Sequence, residues 1–219
     1  MFRRVRIGIA EDQEIFRRGL IELLSKVPQF DVCQEAENGL ALIQKMNENC
    51  PDVVIIDYNL PILNGVETVK EIRKRFPQVK TIMLSMYDDE KIVQNAFEIG
   101  VNGYLSKDDG FDEIPNAIND LLINQYYMND RYTGLLLKLI KHKKGIAQIV
   151  TKNDEKFTII ELQILELISQ EKTNKEIAET LKKSVRSIEK HKSTMMDKAG
   201  VHNSVGLIMF AIRNRILSF

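Results

Sequence analysis

VVIIDYNLPILNG, residues 53–65, decides the fold. Four β-branched apolar residues run into a carboxylate, Asp57, after which the chain turns polar and bends through Pro61 and Gly65. A run this apolar reads as a strand covered on both faces. A carboxylate buried without a partner is costly. Asp57 therefore belongs at a strand mouth where other groups compensate it.

The same pattern repeats on either side. Strand signals at 5–10 (VRIGIA), 30–36 (FDVCQEA), 53–57, 81–86 (TIMLSM) and 102–106 (NGYLS) alternate with helical patterns near 14–26, 39–48, 65–75, 89–99 and 111–123. Five βα units of this length predict an α/β fold, a doubly wound five-stranded parallel sheet. Its binding crevice lies at the carboxyl ends of the strands. Those ends read Glu11-Asp12, Asp57, Ser85 and Lys107. One crevice should thus hold two further carboxylates, a hydroxyl and an ammonium around Asp57.

Three converging carboxylates repel unless a cation sits among them, and a hard divalent ion held by one or two carboxylates plus water is the Mg²⁺ pattern. Screened in this way, Asp57 reads as a nucleophile for phosphorus, with Lys107 and Ser85 as partners for the incoming charge. Singly, each residue has a plainer reading. Asp12 reads as a helix cap, Asp57 as a turn cap before Pro61 and Gly65, Lys107 as a loop lysine and Ser85 as a strand-end hydroxyl. Their order at four strand ends favours the crevice.

The chain has 219 residues, 44% apolar and 28% charged, ordinary for a soluble globular protein with room for two cores. The N-terminal apolar run is broken by Gly8 and stops at Glu11, so neither a signal peptide nor a membrane anchor is expected. No apolar stretch reaches the roughly 18 residues needed to span a bilayer. Cys33 and Cys50 lack metal-ligand spacing and read as reduced thiols of a cytoplasmic protein. The net charge of zero hides an asymmetry: carboxylates dominate residues 1–124 and cations dominate the rest. That points to two domains with different partners.

The second half has no strand signal. Residues 125–153 mix a helical pattern, Leu135 to Ile140, with the basic run KHKK at 141–144, and read as a partly helical basic linker. Residues 154–219 read as a small all-α domain of four helices near 159–169, 174–181, 185–198 and 203–214. Capping boxes at Thr158/Glu161 and Thr173/Glu176 start the first two. The second places Ile177, Ala178 and Leu181 on one face. The third turns Val185, Ile188, Met195 and Ala199 inward and presents Arg186, Lys190, Ser193 and Asp197, with Glu189 beside them. Two such helices joined by KKS (182–184) have helix-turn-helix geometry. There Glu189, Lys190 and Ser193 would face base edges, and Lys175, Ser187 and Lys192 would hold phosphates, with Thr173 and Arg186 in the same interface. The apolar run Val205, Leu207, Ile208, Met209, Phe210 and Ile212 exceeds what one small domain needs to bury, which points to an interface. His191 and His202 do not fit a zinc finger and read as structural or phosphate-contacting.

Residues 1–124 resemble a response-regulator receiver domain, through AED (10–12), VVIIDYNLPILNG (53–65), TIMLS (81–85) and GYLSKD (103–108). TNKEIAETLKKSVRSIEKHKSTMMDKAGVHN (173–203) resembles the LuxR-type DNA-binding domain, a likeness that runs from about Thr158 to the C-terminus. Together they resemble the NarL/FixJ response regulators. The resemblance implies a flavodoxin-like receiver whose Asp57 becomes 4-aspartylphosphate. It makes Glu11 and Asp12 the Mg²⁺ acid pair, joined by the backbone carbonyl of Asn59. Ser85 and Lys107 would bind the phosphoryl group, and Tyr104 would be the switch aromatic that turns inward when the Ser85 hydroxyl moves. The implied partners are a sensor histidine kinase, double-stranded promoter DNA and, on activation, a second copy of the chain, met through the last helix. No turnover enzyme is implied. Met86 stands where the family often has a small residue and Ile62 where it often has Met; a bulky Met86 would narrow water's access to the phosphoryl group.

Two other classes compete. A phosphohydrolase with an aspartyl-phosphate intermediate needs a second acid two residues after the nucleophile, and Asn59 cannot serve. A nucleotide or flavin binder on this fold needs a glycine-rich phosphate loop after the first strand, which this sequence lacks.

Overall fold

The computed structural model describes residues 3–129, 132, 157–214, 216 and 217. The chain divides into two compact units, Met1–Leu122 and Ile123–Phe219.

In the first unit, five strands alternate with helices: β1 (Val5–Ala10), α1 (Glu14–Ser25), β2 (Phe30–Ala36), α2 (Gly39–Glu48), β3 (Val53–Asp57), α3 (Gly65–Arg75), β4 (Lys80–Ser85), α4 (Glu90–Glu98), β5 (Gly103–Ser106) and α5 (Glu113–Asn124). The sheet is parallel, in the order β2-β1-β3-β4-β5, which is the flavodoxin-like doubly wound order. β3 lies at the centre and all five of its residues are buried, which accounts for its unbroken apolar run.

The register brings the strand ends level. Ile56 pairs with Ala10, Asp57 with Leu84, and Ser85 with Ser106. The residues that leave β1, β3, β4 and β5 therefore emerge along one edge. The turn after Asp57 doubles back closely. A Cβ on Gly65 would stand 2.3 Å from the Asp57 carbonyl oxygen, so only glycine lets α3 begin there. Asn64 then caps α3 by accepting from the Glu67 N–H at 2.9 Å.

The predicted bounds hold to within two residues. β4 ends at Ser85, leaving Met86 outside the strand and exposed. α5 starts at Glu113, because Gly110 takes a left-handed φ of 91° and Phe111–Asp112 form a turn before the helix.

In the second unit the described helices are α6 (Ile159–Ser169), α7 (Asn174–Thr180), α8 (Val185–Ala199) and α9 (Ser204–Arg213). Both capping boxes form, at Thr158/Glu161 and Thr173/Glu176. Lys182 takes a positive φ between α7 and α8, and Ser184 caps α8 by accepting from the Ser187 N–H. Gly200 closes α8 in the left-handed conformation. Ile164, Leu165, Ile177, Ile188, Met195 and Leu207 are fully buried. Lys198 Nζ donates to both oxygens of buried Glu161, at 2.8 and 2.7 Å, and so ties α8 to the start of α6.

Two expectations change here. Val185 is exposed rather than inward, because it opens α8 before the helix turns onto the core. Leu207, Ile208, Met209 and Ile212 are buried, so the apolar run of α9 does not form an exposed face. The expected helical pattern at Leu135–Ile140 and the KHKK run lie outside the described residues. Among the described residues no helix is long and apolar enough to cross a membrane.

Candidate functional site

The level strand ends assemble the crevice. One carboxylate oxygen from each of Glu11, Asp12 and Asp57 lies within 4.8 Å of the others. Glu11 and Asp57 are buried and Asp12 is exposed at the mouth. Lys107 reaches in from the end of β5, its Nζ 2.8 Å from Glu11 Oε2 and 3.2 Å from Asp57 Oδ2. The same ammonium stands 4.5 Å from the centre of the Phe16 ring. The Asn59 N–H lies beside the Asp57 carboxylate, and the Gln13 N–H donates to Glu11 Oε1 at 3.2 Å.

Burial pushes the Asp57 carboxyl above its ordinary pKa; Lys107 and the Asn59 N–H oppose this, and Asp12 adds to it. Burial likewise raises Glu11, with Lys107 opposing and Asp57 adding. Three carboxylates against one ammonium leave an excess of negative charge in a low-dielectric crevice. The all-oxygen donor set and that charge suit a hard divalent cation.

The plainer reading of Asp12 does not hold, since α1 begins on Gln13 with no side-chain cap. Asp57 faces the crevice, with the Asn59 N–H beside its carboxylate.

Ser85 is fully buried at the end of β4. Its Oγ accepts from the Tyr87 N–H at 3.0 Å. Tyr104 is also fully buried, and its hydroxyl donates to the Tyr87 carbonyl at 2.5 Å. Asn59 Nδ2 donates to the Tyr87 hydroxyl at 3.3 Å. Tyr87 thus joins Ser85, Tyr104 and the turn after Asp57. Reading the sequence missed Tyr87, although an aromatic two residues past the strand-end hydroxyl was a visible signal.

In the second unit Arg186, Glu189, Lys190, Ser193 and Asp197 are exposed on α8, and their spacing of three and four places them on one side of the helix. Lys175 is exposed in the first turn of α7. Three residues of the expected interface have partners within the unit. Thr173 accepts from the Glu176 N–H and donates to Glu176 Oε2 at 2.9 Å. Lys192 is half-buried and donates to Asn174 Oδ1 at 3.0 Å. Burial lowers its pKa, with Glu189 opposing. The half-buried Ser187 gives its N–H to Ser184 Oγ at 3.2 Å.

Residues 7–119 match the response regulator receiver domain, and residues 155–211 match the bacterial regulatory proteins of the luxR family. The chain is a response regulator of the NarL/FixJ family. This response regulator is 32% identical to the transcriptional regulatory protein LnrK of Bacillus subtilis (strain 168), over 98% of this chain and 100% of that protein. Among solved structures it is similar to the RcsB response regulator of Salmonella typhimurium, with a TM-score of 0.58 and 24% identity over 94% of this chain and 97% of that chain. It is similar also to RcsB in complex with DNA, with a TM-score of 0.58 and 23% identity over 96% of this chain and 98% of that chain.

Proposed function

We propose that this response regulator is a DNA-binding transcription regulator switched by phosphorylation of Asp57. Residues 1–124 form the receiver, 125–153 a basic linker, and 154–219 the DNA-binding domain. The phosphoryl group comes from a phosphohistidine of a sensor kinase. A carboxylate oxygen of Asp57 forms the new P–O bond while the donor P–N bond breaks, and the imidazole nitrogen leaves with a proton. Glu11, Asp12, Asp57 and the backbone carbonyl of Asn59 would hold Mg²⁺. When bound, the ion supplies positive charge beside the carboxylates and the phosphoryl oxygens. Lys107 and the Ser85 hydroxyl hold the remaining oxygens. The chain does not turn over substrate, because Asn59 cannot protonate a leaving group.

The new group draws the Ser85 hydroxyl toward itself as a donor. Ser85 then releases the Tyr87 N–H, and the bond between Tyr87 and Tyr104 carries the change across β4 and β5. This local event biases a two-state element, and two copies of a cytoplasmic protein pair on promoter DNA. Glu189, Lys190 and Ser193 face base edges; Lys175, Ser187 and Lys192 serve the phosphates, with Thr173 and Arg186 in the same interface. The RcsB–DNA complex supports the DNA half of this reading.

The observation that carries the proposal is the convergence of Glu11, Asp12, Asp57 and Lys107 at level strand ends, in a chain that also bears an exposed polar helix face. Labelling with acetyl phosphate and Mg²⁺, followed by peptide mapping, tests it. The label should fall on Asp57 alone and vanish in Asp57→Asn. A label that persists in Asp57→Asn would refute the assignment.

A further inference from the structure

α2, α3 and α4 each begin on a side-chain cap, supplied by Asn38, Asn64 and Asp89. α1 begins on Gln13, whose side chain caps nothing. The turn from β1 into α1, which carries Glu11 and Asp12, thus lacks the side-chain helix cap of α2, α3 and α4, and its own brace is the Gln13 N–H donated to Glu11 Oε1 at 3.2 Å.

Arg17 lies one turn into α1 and is only 7% exposed. Its Nη1 donates to the Glu11 backbone carbonyl at 2.7 Å. Nε meets Glu35 Oε2 at 3.2 Å and Nη2 meets Glu37 Oε1 at 3.3 Å. Those two carboxylates are largely exposed, so each pair adds little stability by itself. Their effect is geometric. The guanidinium is a rigid planar fork, and pinning two of its N–H groups fixes the direction of the third. Lys45 Nζ in turn donates to the Glu35 carbonyl at 2.6 Å. A buried charge is a poor route to stability compared with an apolar side chain of similar volume. Fold stability alone therefore does not account for an arginine here.

We propose that Arg17 is a positioning residue that holds the Glu11 backbone so that the side chains of Glu11 and Asp12 converge with Asp57 on one divalent cation. Arg17's own hydrogen bonds go to the Glu11 backbone carbonyl, Glu35 and Glu37, not to the three crevice carboxylates. The inference rests on reading those three carboxylates as a metal site.

Binding of Mn²⁺ to the full chain without phosphodonor, read from the EPR signal of the free ion, tests it. Wild type should bind, and Glu11→Gln should bind weakly. Arg17→Met should weaken binding by about tenfold, as supporting residues around metal ligands commonly do. Leu24→Ala, a buried change in the same helix, should lower the melting temperature yet leave Mn²⁺ affinity unchanged. At saturating Mg²⁺, Arg17→Met should recover most of the wild-type rate of acetyl phosphate labelling, which separates ion affinity from chemistry. Should Arg17→Met not fold, Arg17→Lys carries the test, with weakening of several-fold expected because a single ammonium cannot be pinned as a fork is. Wild-type Mn²⁺ affinity in the folded Arg17 variant would overturn the inference alone. Equal binding by wild type and Glu11→Gln would overturn the metal reading, and the inference with it.

Discussion

Lys107 Nζ stands 3.2 Å from Asp57 Oδ2, and both side chains are almost wholly buried. The contact joins the end of β5 to the end of β3 and supplies the positive charge nearest to Asp57. Removing one partner of a buried pair leaves the other uncompensated. Lys107→Met should therefore destabilise the receiver by about 3 kcal/mol at low Mg²⁺. Added Mg²⁺ should restore part of that loss, because a cation in the crevice replaces the missing charge. Thermal melts with and without Mg²⁺ check this. Equal losses in both conditions would contradict it.

The Ser85 hydroxyl accepts from the same residue, Tyr87, whose carbonyl accepts from Tyr104. Ser85→Ala removes one end of this chain without emptying the crevice. The variant should still take up phosphate, more slowly, and lose most of the phosphorylation-dependent gain in dimerisation. Sedimentation of the labelled variant reads this directly. Dimerisation equal to that of wild type would rule out the route through Tyr87.

Lys190 and Lys175 are both exposed, on different helices, and should fail differently. Lys190→Ala should cost about 1–3 kcal/mol on the preferred site and relax preference at one or two base pairs. Lys175→Ala should weaken all sequences alike and reduce the salt slope by about one unit. The site itself should be an inverted repeat with half-sites about one helical turn apart. Titrations on preferred and scrambled DNA at several salt concentrations separate the two defects. Equal weakening on both DNAs by Lys190→Ala would make Lys190 a phosphate contact and rotate the helix in the groove.

Burial pushes the Glu161 carboxyl up, but hydrogen bonds from Lys198 and Thr158 outweigh it and leave the pKa below 4.5. A carboxyl lowered in the folded state adds stability above its unfolded pKa and loses it as pH falls through the folded value. Glu161→Gln should cost about 1–3 kcal/mol at neutral pH, since it strips a charge-assisted bond from Lys198. The gap from wild type should shrink below about pH 4.5. Denaturant melts across that range test it; a constant gap would show that the ionised form of Glu161 contributes nothing.

Much of the first unit was legible because a parallel sheet ties sequence to geometry in two ways. Buried strands read as apolar runs, and crevice residues sit just past them. Glu11, Asp57, Ser85 and Lys107 each stand at such an end. Arg17 was not legible, because its role depends on the Glu11 backbone carbonyl. Tyr87 was overlooked although its place two residues past Ser85 was visible; its own backbone N–H and carbonyl meet the Ser85 and Tyr104 hydroxyls, which spacing alone does not show. Periodicity misplaced Val185, since the first residue of a helix shares its phase but not its burial. It also overstated the free surface of α9, because counting apolar residues does not tell how many of them the unit covers.

The central claim is that charge placed on Asp57 changes what the helix-turn-helix does. Binding of the full chain to its preferred promoter site, before and after labelling with acetyl phosphate and Mg²⁺, tests it most directly, with Asp57→Asn carried through the same treatment. Labelled wild type should bind at least about tenfold more tightly than unlabelled, a coupling of about 1.4 kcal/mol, and Asp57→Asn should not respond. Equal affinity of labelled and unlabelled wild type, or an equal gain in Asp57→Asn, would contradict the account.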